Sequence, residues 1–291
     1  MAFIKLLGTF AAKLLLVTLF VYGVLYFTPG THLAEQKKLA TAGMLDQWAG
    51  TSVTGMATGY LDWLGNTIRG ELGHFQGDPI TRRLLSHTWL TMALVVGALI
   101  FSFVLSLLMV LGRIAWPDNA FVGNGISLFN LVSGLHIVVL SYLLVMARWV
   151  LPDGDISVWH ILILALGNGS LADFYTVLYE QINRALGQNY ITAAKGRGAS
   201  VRNHALRYEI TLGLIEATLS RMPVLIGSTI MVEFIFSNFG LGYDIVQAVQ
   251  ERSFELIMGV TTVVAALVIF TTDFTAYMRY KLDPRLIRVI Q

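Results

Sequence analysis

The chain has 291 residues, 55% hydrophobic and 13% charged, with a formal net charge of +2 and no cysteine. Mean hydropathy is +0.66, whereas soluble domains carry roughly 25% charged residues, so an ordinary soluble fold is excluded. The lack of cysteine excludes a disulfide framework, a thiolate metal site and a cysteine nucleophile, and so small a net charge argues against a nucleic-acid partner.

A membrane-crossing helix needs about 20 apolar residues, and only helices or closed barrels satisfy their backbone in lipid. Six spans are predicted, at roughly 9–28, 88–112, 121–147, 156–181, 209–236 and 256–280. The fold class is therefore all-α and polytopic, with six transmembrane helices. The first span is followed by Thr28-Pro-Gly-Thr-His32 with no Ala-x-Ala-like cleavage site, so it reads as a retained span and not a signal peptide. Lys13 lies near its start and can snorkel to the interface.

Residues 29–87 form the one sizeable extramembrane region, with five basic and five acidic residues, a Gly/Thr-rich stretch over 49–59 and an aromatic, helix-like piece from Tyr60 to Ile68. It is too short to build a large core of its own and reads as a cap on the outer mouth. The linear division is 1–28, first segment and span; 29–87, cap; 88–291, a five-helix core.

Thr88 to Gly112 carries no charge, and Asn119 to Ala147 carries only neutral His136. His136, beside Gly134, reads first as a satisfied buried histidine and second as a ligand. The fourth span carries Asp173 and Glu180, and the fifth Glu216, Arg221 and Glu233. These two spans should face protein or water, because a charge at mid-bilayer is costly. Asp173 has two readings: a wall of a translocation path, or a partner of Arg148 or Arg221. Glu216 and Arg221, five apart, either pair locally or meet another subunit.

Charge asymmetry orients the spans. With a cytoplasmic N-terminus, twelve of the twenty Lys and Arg fall inside: Lys5, Lys13, Arg113, Arg184, Lys195, Arg197, Arg202, Arg207, Arg279, Lys281, Arg285 and Arg288. The opposite loops are mixed or acidic. Both termini are thus expected inside.

The chain has no G-x-x-x-x-G-K-[ST], no H-E-x-x-H, and serines without evident His/Asp companions, so no enzyme is read from it. The basic stretch Tyr190-Ile-Thr-Ala-Ala-Lys-Gly-Arg-Gly-Ala-Ser200 is the sharpest signal. Tyr190, Ala194 and Gly198 are four apart, so on a helix they share one face. Taken alone, the spacing reads first as a small-residue contact between helices.

That stretch, together with three others, resembles the permease subunits of binding-protein-dependent ABC importers, and among them the first permease of the dipeptide, oligopeptide and nickel class. Tyr190, Ala194 and Gly198 match its Tyr-x-x-x-Ala-x-x-x-Gly coupling loop. Gly70-Glu-Leu-Gly73 with Asp78-Pro-Ile80, Glu233-x-x-Phe236-x-x-x-Gly240-Leu-Gly242, and Leu282-Asp-Pro-Arg285 match further stretches in order. Four departures stand out: Phe239 replaces a proline, Ser133-Gly-Leu-His136 lacks the usual Ser-x-Pro, Asp173 and Thr176 occupy positions usually held by two arginines, and the usual Leu-Pro after the loop falls near Ile215-Glu216.

The resemblance implies a type I ABC importer permease fold in a bacterial inner membrane. It implies a coupling helix at about 188–205 whose Tyr190, Ala194, Lys195, Arg197, Gly198 and Arg202 meet the ATPase. Ser133, His136, Asp173, Thr176 and Glu233 would line the translocation path. The implied partners are a second, distinct permease, two ABC ATPases that bind the ATP and Mg, and an external solute-binding protein. This chain would carry no cofactor. Two other readings stay open: an ATP-independent channel or secondary carrier acting as a homo-oligomer, with Asp173 or Glu233 coupling ions, and an ABC complex with a sensory or export role.

Overall fold

The computed structural model describes residues 2–27, 53–147, 158–187, 201–236 and 240–282, with positions 189, 196 and 198. The described chain is almost wholly helical and divides into two compact units, one of residues 1–91 and 239–270, the other of 92–238 and 271–291.

The first unit opens with α1 (Ala2–Phe27) and α2 (Val53–Arg69). A two-residue hairpin follows, β1 (His74–Phe75) pairing antiparallel with β2 (Asp78–Pro79). Its turn residues Gln76 and Gly77 both have positive φ (53° and 91°), as a two-residue hairpin of the observed twist requires. Gly73 also has positive φ, and a Cβ there would collide with the Glu255 carboxylate. The hairpin leads directly into α3 (Ile80–Ala115). The unit is completed by α9 (Leu241–Gln250) and the first turns of α10 (Phe254–Leu282). Phe75, Ile80, Leu84, Leu241, Ala248, Leu256 and Val260 form its core.

The second unit holds the rest of α3, then α4 (Ala120–Ser133), α5 (Ile137–Met146), α6 (Val158–Leu166), α7 (Ser170–Leu186) and α8 (Val201–Ile235). Its most extensive pairing is α7 with α8. Gly213 of α8 lets the helices approach closely; a Cβ there would lie 3.0 Å from a Leu178 methyl. Val110, Leu178 and Ile182 are buried at the centre of a cluster with Phe103, Leu107 and Ile210.

Among the described residues, four helical stretches are long and apolar enough to cross a membrane: Leu7–Phe27, Ile80–Ala115, Val158–Leu186 and Phe254–Met278. Two bent pairs join them, Val122–Ser133 with Ile137–Met146 at 93° and Ile210–Thr218 with Ser220–Ile235 at 45°. Counting each pair as one gives six spans, as the apolar runs predict. The third and fifth are broken, which the runs do not reveal. In α8 the cause is local: Pro223 offers no N–H to the carbonyl four residues back, at position 219, where the bend lies. In the third span no proline is present, and the break is stabilised from a neighbouring helix.

Candidate functional site

That neighbour, the fourth span, carries a break of its own. The 3-10 turn Gly167–Gly169 separates α6 from α7, and Asn168 sits in it with φ 55° and ψ 26°. Asparagine enters this left-handed region more readily than most residues. All of Asn168's polar groups but one proton are bonded. Its Oδ1 accepts the N–H of Ile137 (3.0 Å), the first residue of α5. Its backbone N–H donates to Leu135 O (3.2 Å). Its Nδ2 donates to Ser228 Oγ (3.0 Å), and its carbonyl accepts from Arg221 Nη1 (3.0 Å). Three interrupted helices thus meet on one side chain. Gly167 keeps the approach close: a Cβ there would come within 2.9 Å of an Ile137 carbon.

Breaking a helix exposes orphan N–H groups at each new start. They are satisfied from nearby: Ser133 Oγ accepts from Ala172 N (3.4 Å), and His136 Nδ1 accepts from Val138 N (3.3 Å). Asp173 lies in the first turn of α7, where the helix dipole favours a negative charge. It forms an ion pair with Arg221. Arg221 is mostly buried (14% exposed), while the Asp173 side chain is 43% exposed. Thr176 is exposed and its hydroxyl donates to Ala172 O (2.8 Å).

The structure brings Ser133, Asp173 and Thr176 together around the start of α7, with His136 at the facing break. Ser133 and Glu233 are fully buried. His136 corrects an expectation: it is exposed and not buried, because the break in the third span places it as the cap of α5. Asp173 takes Arg221 as its partner; Arg148 lies outside the described residues. Glu216 accepts from Gln181 Nε2 (2.6 Å), across the α7–α8 pair.

The 188–205 stretch is described only in part. Tyr190, Ala194, Lys195 and Arg197 lie outside the described residues, as does the side chain of Arg202. Gly198 is exposed, in a turn, with φ +68°. Since that is not a right-handed helical angle, one continuous helix over 188–205 is interrupted there, and α8 starts at Val201.

The first unit holds a separate polar cluster. Fully buried Asp244 accepts from Arg83 Nε (2.7 Å) and contacts His87 Nδ1 (2.6 Å). Arg83 Nη2 donates to Gln247 Oε1 (2.6 Å), and its guanidinium lies 5.0 Å from the Phe75 ring centre. Leu241 N–H at the start of α9 donates to Thr91 Oγ1 (3.1 Å). A cavity of about 670 Å³ opens beside the cluster, lined among others by Gln76, Asp78, Arg82, His87 and Tyr243. Sequence reasoning missed both this cluster and Asn168. The Gly167-Asn-Gly169 triplet inside an apolar run was the available signal for the latter.

The model of the binding-protein-dependent transport system inner membrane component matches residues 126–288. A putative peptide permease protein of Brucella ovis is 24% identical over an alignment covering 94% of each chain. A second from Brucella suis has the same identity and coverage. The glutathione transport system permease protein of Escherichia coli K12 is 24% identical over 73% of this chain and 71% of its own. The chain belongs to the family of binding-protein-dependent transport system inner membrane components, and is the permease subunit of an ABC importer.

Proposed function

We propose that the chain is one half of a heterodimeric permease that carries peptides or related small solutes inward across a bacterial inner membrane. Membership of the ABC importer family replaces the stand-alone carrier reading and implies ATPase and binding-protein partners. The names of the relatives, peptide and glutathione permeases, support the cargo class. The finer assignments are ours. Both termini are cytoplasmic, on the charge asymmetry. The 188–205 segment meets the ATPases, with Tyr190, Ala194 and Gly198 seated and Lys195, Arg197 and Arg202 facing acidic groups. ATP and Mg bind only to those partners, and this chain catalyses nothing. The solute-binding protein docks on 29–87 and 238–255, where the polar cavity beside Asp244 lies.

The observation that carries the reading is the junction at Asn168. Three broken helices share one hydrogen-bonded node, and a half-exposed carboxylate, Asp173, stands beside it. Irregular backbone at membrane depth is tolerated where it is buried in protein or lines a water-filled cavity. Bonded in this way, the broken helices form a two-state element that ATPase closure biases between inward and outward forms. Ser133, His136, Asp173 and Thr176 surround the path, with Glu233 behind it.

The test is reconstitution. Purified from its own membrane, the chain should bring down two ATPase subunits and a second, distinct permease. Proteoliposomes with the binding protein should take up short peptides only with ATP inside the lumenal face that carries the ATPases. A complex holding two copies of this chain would overturn the heterodimer, and binding-protein-dependent uptake that ignores peptides would overturn the cargo.

A further inference from the structure

Helix α2 (Val53–Arg69) carries three faces. Met56, Tyr60, Trp63 and Leu64 pack on Tyr22, Leu25 and Tyr26 of α1 and on Phe254 and Met258 of α10. Thr54, Thr58, Asp62, Asn66 and Arg69 form an exposed polar face. At 100° per residue, Ala57, Leu61 and Ile68 fall on a third stripe between these two, and Val53, in the first turn, lies beside it on the packing side. The stripe and Val53 are apolar and exposed: Val53 is 72%, Leu61 63% and Ile68 79% accessible.

The depth of α2 follows from its contacts with α1. The apolar stretch Leu7–Phe27 has 21 residues; at 1.5 Å per residue that is about 31 Å, enough to fill the hydrocarbon core of about 30 Å. The Tyr60 hydroxyl bonds Thr18 Oγ1 (2.9 Å) and Leu15 O (3.3 Å). Thr18 lies nine residues before Phe27, about 13 Å down the helix. Gly59 abuts the Tyr22 hydroxyl and Met56 lies against Gly23, some five residues, or about 7 Å, below Phe27. The Tyr60 phenol is buried and finds its partner inside the protein, as a polar group at that depth must. Tyr22, Tyr26, Phe27, Tyr60, Trp63 and Phe254 make one connected set of ring contacts and packing, the composition of an interfacial aromatic belt. On the side of α1 away from α2, Leu16, Phe20 and Val24 are 69%, 69% and 50% accessible, as the lipid face of a spanning helix would be.

We propose that α2 is a membrane-embedded interfacial helix whose Ala57–Leu61–Ile68 stripe, with the exposed Val53 of its first turn, is solvated by the acyl chains of the leaflet at the C-terminal end of α1. On the proposed topology this is the outer leaflet. The polar face, with Asp62 and Arg69, then looks to the headgroups and water. Helices of this kind sit about 5–10 Å into the headgroup–acyl boundary, which matches the level of Tyr22 and Gly23. The cap is thereby anchored at both ends of its described part, by lipid through α2 and by the hairpin through Phe75.

The chain's lack of cysteine makes the test direct. Single cysteines at Val53, Leu61 and Ile68, and at Thr58, Asp62 and Asn66 as the opposing set, are spin-labelled in the full importer complex in lipid nanodiscs. Collision with oxygen should exceed collision with a water-soluble nickel chelate at the first three, and the order should reverse at the second three. Chelate access at all six would place α2 in water and overturn the proposal. Shielding from both reagents at Leu61 and Ile68 would also overturn it, showing that another protein covers the stripe.

Discussion

Asn168 Oδ1 holds the backbone N–H of Ile137 at 3.0 Å, so a side chain in one broken helix supplies the start of another. The same residue reaches Ser228 and Arg221 on α8. Loosening this residue would release three elements together, a property required of a hinge and unneeded in a simple packing contact.

Replacing Asn168 separates conformation from bonding. Asn168→Ala loses the bonds to Ile137 and Ser228 and places a Cβ-bearing residue with no local bond at φ 55°. Leaving a buried donor unpaired costs about 1–3 kcal/mol, and the left-handed backbone adds roughly 1–2 kcal/mol. Asn168→Gly incurs only the first. Thermal unfolding of the solubilised complex should rank wild type above Gly above Ala, with transport reduced in both. Equal stability of all three would remove the node.

Gly167→Ala tests the close approach. The new methyl would meet Ile137 backbone and side chain, and overpacking of this kind costs typically about 1–3 kcal/mol. Ile137→Ala should partly relieve it. Unfolding of the double variant should then be less perturbed than the sum of the two singles predicts.

The apolar runs were enough to place six spans, because length and hydropathy are properties of a segment by itself. The bend at position 219 had a local signal in Pro223, which acts on its own helix, although no bend was expected there. The break at Gly134–His136 had none. Glycine is common in membrane helices, and this break depends on Asn168, thirty-odd positions away, to cap Ile137. His136 was misread for the same reason: burial was inferred from an apolar neighbourhood in sequence, whereas its place as the cap of α5 exposes it. The Arg83–Asp244 pair links positions 161 apart, and no local pattern announces it. Asp173, by contrast, stood out as a charge in an apolar run, and the expectation of a partner was met by Arg221.

Asp244→Asn should destabilise the first unit strongly. The carboxylate is fully buried between Arg83 and His87, and removing one partner of a buried charge pair costs about 3–5 kcal/mol. Arg83→Met together with Asp244→Leu should recover much of that loss, since no lone charge is left. A double variant no more stable than Asp244→Asn would show that the polar bonds themselves, and not charge compensation, hold α9 on α3.

Gly198→Ala and Gly198→Trp probe the 188–205 segment in two steps. Among the described residues no neighbour lies within 4 Å of a Cβ at Gly198, but its φ of +68° disfavours any L side chain. Alanine should therefore lower coupling modestly, through about 1–2 kcal/mol of backbone strain. Tryptophan should leave the protein in the membrane and abolish both transport and transport-stimulated ATP hydrolysis by the complex. Normal transport in Gly198→Trp would end the assignment of this turn to the ATPase contact.

The charge at Asp173 bears on cargo. Its side chain is 43% exposed despite the ion pair with Arg221, so one acidic face remains available. A carboxylate in the path attracts cationic peptides, admits neutral ones and repels anionic ones. Asp173→Arg alone would set two cations together and risk the fold, so the informative variant is the exchange Asp173→Arg with Arg221→Asp. It keeps a charge pair while moving the exposed charge from acidic to basic. Uptake measured with lysine-containing and glutamate-containing tripeptides should shift toward the acidic ones, by up to about tenfold if roughly 1.4 kcal/mol of differential interaction is reversed. An exchange variant that transports well with its preference unchanged would take Asp173 out of the translocation path and leave it as a structural partner of Arg221.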